Sequence, residues 1–133
     1  MFMELNDDLK KAINENLAFV ATADSNGKPN IVPIGFCKVM NDDTLLLADN
    51  FMKKTLSNLK ENPKMSIIIE DVKNYPFQLK GTVEIDEDGK YFEEVTNWVA
   101  QVKDELAPKS AIIFKITEIY SIAPGPDAGN KIE

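Results

Sequence analysis

The chain contains no histidine and no arginine, so all fifteen of its basic residues are lysines. Without an imidazole there is no Ser-His-Asp triad, no histidine metal ligand and no histidine general base. The single cysteine, Cys37, can neither close an intrachain disulfide nor build a thiolate zinc site, and a lone thiol suits a reducing compartment. Redox or group-transfer chemistry on such a chain points to a borrowed cofactor. A formal net charge of −7 with no arginine argues against a broad nucleic-acid footprint. No run approaches the roughly 20 apolar residues of a membrane span, and the opening MFMELNDDLKKAINEN is too charged for a secretory signal. The expected location is therefore cytoplasmic, away from membranes.

What is present fits one compact domain: 133 residues, 44% of them hydrophobic. Leu5, Leu9, Ile13 and Leu17 recur at helical spacing behind Asn6, Asp7 and Asp8, which predicts an opening amphipathic helix covering one end of the fold. LAFVATA (17–23) and NIVPIGFCKVM (30–40) read as two strands around a hairpin loop whose Asn26-Gly27 supplies positive φ. Asn41-Asp42-Asp43 turns into TLLLAD (44–49), a helix follows over 52–62 and Pro63 ends it. Strands are predicted at 65–70 and 77–85, a second long helix at 90–106, and a last strand at 110–122. On that strand Ile112, Phe114 and Ile116 share one face, and Ile113, Lys115 and Thr117 the other.

Six strands joined mostly by hairpin-length loops predict a mainly β, α+β fold over residues 1–122: a six-stranded antiparallel sheet closed into a small barrel, with flanking helices. Residues 123–133, APGPDAGNKIE, form a Pro/Gly-rich tail whose composition favours disorder. A barrel this small fills with its own side chains, so a large planar ligand belongs outside it, in a groove shared with a second copy.

Two stretches carry site-like chemistry. In LLLADNFMKKTLSNLKENP (45–63) a strand ends and Lys53, Lys54 and Thr55 open a helix, placing two cations, a hydroxyl and unpaired N–H groups together, as a phosphate requires. Lysines there oppose the helix dipole by roughly 0.3–1 kcal/mol, a cost that a bound anion relieves; the plain alternative is a solvated helix start. Pro33 and Gly35 are awkward inside a strand and mark an edge, a bulge or a close ligand.

The order of these elements, with ADNFMKKTLSNLKENP followed by QLKGTVEI, resembles the FMN-binding split-barrel family related to pyridoxamine 5′-phosphate oxidase, over nearly the whole chain. The resemblance implies that the barrel is a six-stranded antiparallel split β-barrel with flanking helices, and that the protein is a homodimer with FMN at the subunit interface. It assigns phosphate anchoring to Lys54 and Thr55 with Lys53 beside them, the strand under the flavin ring to Pro33, Ile34, Gly35 and Phe36, and contacts near the ribityl chain to Ala48 and Asp49, with Gln78 near the same site. It names no catalytic residue and no metal. It also implies that similar tails pack at the dimer surface, leaving room for 123–133 to close over the cofactor.

The chain departs from a true pyridoxamine phosphate oxidase in lacking a second phosphate grip. Lys38 matches one family lysine in that role, but the helix KYFEEVTNWVAQVKDEL offers Glu93, Glu94, Asp104 and Glu105 and no arginine. The expected activity is a flavin-reductase type of oxidoreduction with a nicotinamide donor. The alternatives are an FMN electron carrier or sensor that docks a redox partner protein, or a protein for a deazaflavin such as F420. Cys37 reads as a small core hydrophobe, Trp98 and Phe92 as packing residues, and the acidic clusters as solvated turns rather than metal sites.

Overall fold

The computed structural model describes residues 4–71 and 76–132. Its elements in chain order are α1 (Asp7–Glu15), β1 (Ala18–Ala23), β2 (Pro29–Ile34), β3 (Cys37–Asn41), β4 (Thr44–Asp49), α2 (Lys54–Glu61), β5 (Lys64–Ile69), β6 (Phe77–Asp86), α3 (Lys90–Val102) and β7 (Ser110–Ser121). The strands form one sheet in the order β2-β1-β5-β6-β7-β4-β3, every neighbouring pair antiparallel. The sheet curls into a half-barrel, as the split-barrel expectation requires.

The strand count is seven rather than six, because the stretch 30–40 expected as one strand breaks at Gly35-Phe36. Ile34 pairs with Ala18 and Cys37 pairs with Leu47, so β2 and β3 lie at opposite edges of the sheet. Two residues carry the chain from one edge to the other, where the curled sheet approaches closure. This seam gives Pro33 its physical reason: a proline belongs on an edge strand, where its missing N–H costs no ladder bond. Gly35 lies at the break itself, with open space where a Cβ would stand. At the other edge, Val39 N donates to Asn14 Oδ1 at 2.9 Å, so α1 covers the open side of β3.

β4 is buried along its whole length because it is covered on both faces. Leu45 and Leu47 join the barrel core with Ile67, Leu79, Phe77 and Phe114. Leu46 and Ala48 pack beneath α3 against Val95, Val99 and Ala111. Each large apolar side chain buried this way contributes about 1.5–3 kcal/mol relative to exposure. β7 alternates as expected, with Ile112, Phe114 and Ile116 buried and Lys115 and Thr117 exposed. Gly81 sits at a register shift between β6 and β7, where an added Cβ would lie 2.0 Å from the Lys115 carbonyl oxygen.

Helix ends follow local chemistry. Asn6 caps α1 by accepting from Leu9 N at 2.8 Å. The Asp86 carboxylate accepts from the N–H groups of Asp88, Gly89, Tyr91 and Phe92, gathering the start of α3. α3 stops at Val102 rather than running to 106, and α2 begins at Lys54 rather than 52. The tail turns back instead of trailing: Gly129 N bonds Ser121 O, Ser121 N bonds Asn130 O, and Ile132 N bonds Ile119 O, closing the stretch of β7 beyond its pairing with β4. No described helix is long and apolar enough to cross a membrane.

Candidate functional site

A cavity of about 440 Å³ opens where the seam between β2 and β3 faces the end of β4 and the start of α2. Pro33, Ile34, Gly35, Phe36, Ala48, Lys53, Lys54 and Thr55, all singled out from the sequence, line this one space. Asp49 and Gln78 do not line it. Asn30, Val32, Asn50, Phe51, Met52, Lys103 and Leu106 complete the wall without having been singled out. Asn50 to Met52 fall inside a stretch already marked. Asn30, Lys103 and Leu106 arrive through pairing of β2 with β1 and packing of α3 on β4, which no local pattern announces.

One end of the cavity is electropositive. The N-cap of α2, Lys53, supplies no side-chain acceptor, so the first turn of the helix lacks a side-chain cap. Lys53 and Lys54 are exposed and make no ion pair among the described residues. Thr55 is only 2% exposed, and its Oγ1 accepts from Asn30 Nδ2 at 3.3 Å, which leaves the hydroxyl proton free to donate. On the wall nearby, Asn50 Oδ1 is buried without a hydrogen-bond partner among the described residues, so turning that amide toward a ligand forfeits no bond they make to the oxygen.

Asp49, which the resemblance places near the ribityl chain, is bonded within the fold. Fully buried, it accepts from Ser110 Oγ at 2.8 Å and from Met52 N at 2.9 Å, and Lys109 Nζ lies 3.7 Å from it. Alternation along β4 puts Ala48 and Asp49 on opposite faces. Gln78, partly buried, pairs with Ile68 and Tyr120, and Ile68 pairs with Phe19. These residues share the face of the sheet turned away from the barrel core.

Beyond the seam a second hollow is bounded by Phe36, Lys38 and Trp98. Lys38 Nζ is committed, 3.3 Å from Glu94 Oε2 and 4.5 Å from the Trp98 ring centroid. Trp98 meets Phe36 edge to face at 5.4 Å and packs on the cluster under α3, as a packing residue should. Cys37 is buried, and that burial pushes its thiol up to about 12, in keeping with a core hydrophobe.

The family model for pyridoxamine 5′-phosphate oxidase matches residues 5–123. The chain is 39% identical over 132 residues to the uncharacterized protein MJ0282 of Methanocaldococcus jannaschii, covering 98% of this chain and 89% of that protein. Among solved structures it resembles HupZ of Group A Streptococcus, with a TM-score of 0.82 and 31% identity over 94% of this chain and 99% of the other. It also resembles an FMN-binding protein from Syntrophomonas wolfei, with a TM-score of 0.70 and 26% identity over 85% of this chain and 82% of that one.

Proposed function

The chain belongs to the pyridoxamine 5′-phosphate oxidase family, and from that premise we propose that it is an FMN-binding oxidoreductase of the flavin-reductase type without true pyridoxamine phosphate oxidase activity. The observation that carries this reading is the cavity at the uncapped start of α2, with Lys53 and Lys54 unpaired among the described residues, a Thr55 hydroxyl proton to give, and a largely apolar wall beside them. Such a set of donors suits a phosphate monoester attached to a flat ring. Bound flavin would supply electron and hydride chemistry that the chain's own side chains lack. Lys53, Lys54 and Thr55 would anchor the phosphate, Asn30 orient Thr55, and the backbone from Pro33 to Phe36 lie along the ring.

The same geometry argues against a phosphorylated pyridine substrate. The lysine that would receive it, Lys38, is held by Glu94 and Trp98, and α3 brings no other cation to that hollow except Lys103. A homodimer fits the exposed apolar side chains Ile31 and Phe51 and the half-buried outward sheet face on which Gln78 sits, from which Gln78 would reach the partner's cofactor.

Two other readings have specific support. The net charge of −7 suits a carrier that docks a basic redox partner. An adjoining hollow of about 400 Å³, lined by Asp24, Lys28, Pro29 and Asn58 and sharing Asn30 and Lys54 with the cavity, offers two lysines to the longer anionic tail of a deazaflavin, with the Asp24 carboxylate turned to the N–H groups of Asn26 and Lys28. The deciding experiment mixes FMN-loaded protein anaerobically with NADH or NADPH. Flavin bleaching matched by donor oxidation supports the reductase; a flavin that bleaches only with dithionite supports the carrier. Oxidation of pyridoxamine phosphate at a useful rate would overturn the exclusion, and tighter binding of F420 than of FMN would favour the deazaflavin.

A further inference from the structure

The four residues between β4 and α2, Asn50 to Lys53, decide where the positive end of the cavity points, and they are held from outside by β7. Lys109, at the mouth of that strand, donates its backbone N–H to Asp49 O at 2.8 Å and its Nζ to Met52 O at 2.5 Å. Asp49 Oδ1 takes the Met52 N–H at 2.9 Å, and its other oxygen takes the Ser110 hydroxyl at 2.8 Å. The peptide groups on both sides of Met52 are thus gripped, one by a carboxylate and one by an ammonium, immediately before Lys53 and Lys54.

We propose that Lys109 is a positioning residue for the phosphate grip, acting through Met52 to set the start of α2 so that Lys54, Thr55 and the helix N–H groups converge on one anion. This rests on the reading of the α2 start as the flavin phosphate anchor. An ordinary surface ion pair does not account for the arrangement, because the closer contact of Lys109 is to a carbonyl oxygen and its carboxylate neighbour lies 3.7 Å away. Charged donors on backbone carbonyls are the stronger kind of hydrogen bond, and a grip whose supporting bonds are complete keeps its geometry before the ligand arrives.

The test compares FMN with riboflavin, which differ by the phosphate alone, in the intact protein. Dissociation constants come from flavin fluorescence quenching, with thermal melting alongside. For Lys109→Met the FMN constant rises by about tenfold while riboflavin changes by less than about twofold, and in a Lys54→Met background the same change costs little more. Lys109→Arg, which keeps a cation near the Met52 carbonyl, recovers most of the FMN preference, and Lys109→Gln serves where the methionine variant does not fold. Equal weakening of both flavins, no weakening, or full additivity with Lys54→Met would overturn the positioning role. If the unaltered protein binds FMN no more tightly than riboflavin, the phosphate-anchor reading fails first and Lys109 falls with it.

Discussion

Ala48 and Asp49 are adjacent in sequence, yet one lines the cavity while the other is locked against Ser110 and Met52. The strand period of two separates them, and a stretch read as a motif hides that alternation. Lys53, Lys54 and Thr55 were legible because charge, hydroxyl and helix start coincide within three residues. Asn30 was not, because its value lies in a hydrogen bond to Thr55 across 25 positions. Cys37 was read for what it is, a buried small hydrophobe, and its chemistry follows. With burial raising its thiol to about 12, the native protein at about pH 8 should leave Cys37 unlabelled by a thiol-specific chromogenic disulfide, with full labelling after denaturation. Rapid native labelling would mean that the seam opens.

At the scale of elements, the α3 cap has a pH signature. Desolvation pushes the Asp86 carboxyl up, but the N–H groups of Gly89, Phe92, Asp88 and Tyr91 together outweigh it and hold the group below its ordinary 3.8. A depressed folded value stabilises the protein above the unfolded value and is lost as pH falls toward the folded one. Asp86→Asn should therefore lower the melting temperature at neutral pH, and the gap from the parent should narrow once the pH falls below the ordinary 3.8 and continue to shrink as it passes through the depressed folded value. A gap independent of pH would assign the cap to geometry alone. Gly81→Ala forces a methyl onto the Lys115 carbonyl and should destabilise the protein by about 1–3 kcal/mol or more in urea unfolding. Of the elements, those with strong alternation or helical period were predictable to within a few residues. The break at Gly35-Phe36 was not, because strand composition continues through it and only closure of the sheet makes a separate edge of each half.

For the whole molecule, curling the sheet brings β2, β4, α2 and the end of α3 to one cavity, and that is why a family resemblance read from order and spacing found most of the wall. What sequence leaves out is the outward face that carries Phe19, Ile68 and Gln78. If a second copy covers it, the protein sediments as a dimer, and Ile31→Asp, which puts a charge on an exposed apolar edge, shifts it to monomer and weakens FMN retention. A parent that sediments as a monomer while holding FMN would remove the interface from the account.

The central claim is that this cavity holds FMN by its phosphate. The most direct measurement is the visible absorption spectrum of the purified protein, before and after saturation with FMN and removal of free flavin, with a Lys54→Ala, Thr55→Ala double variant beside it. Flavin bands retained by the parent and lost from a variant that still melts cooperatively are the predicted result. A parent that keeps no flavin after saturation, or a double variant that keeps as much as the parent, would contradict it.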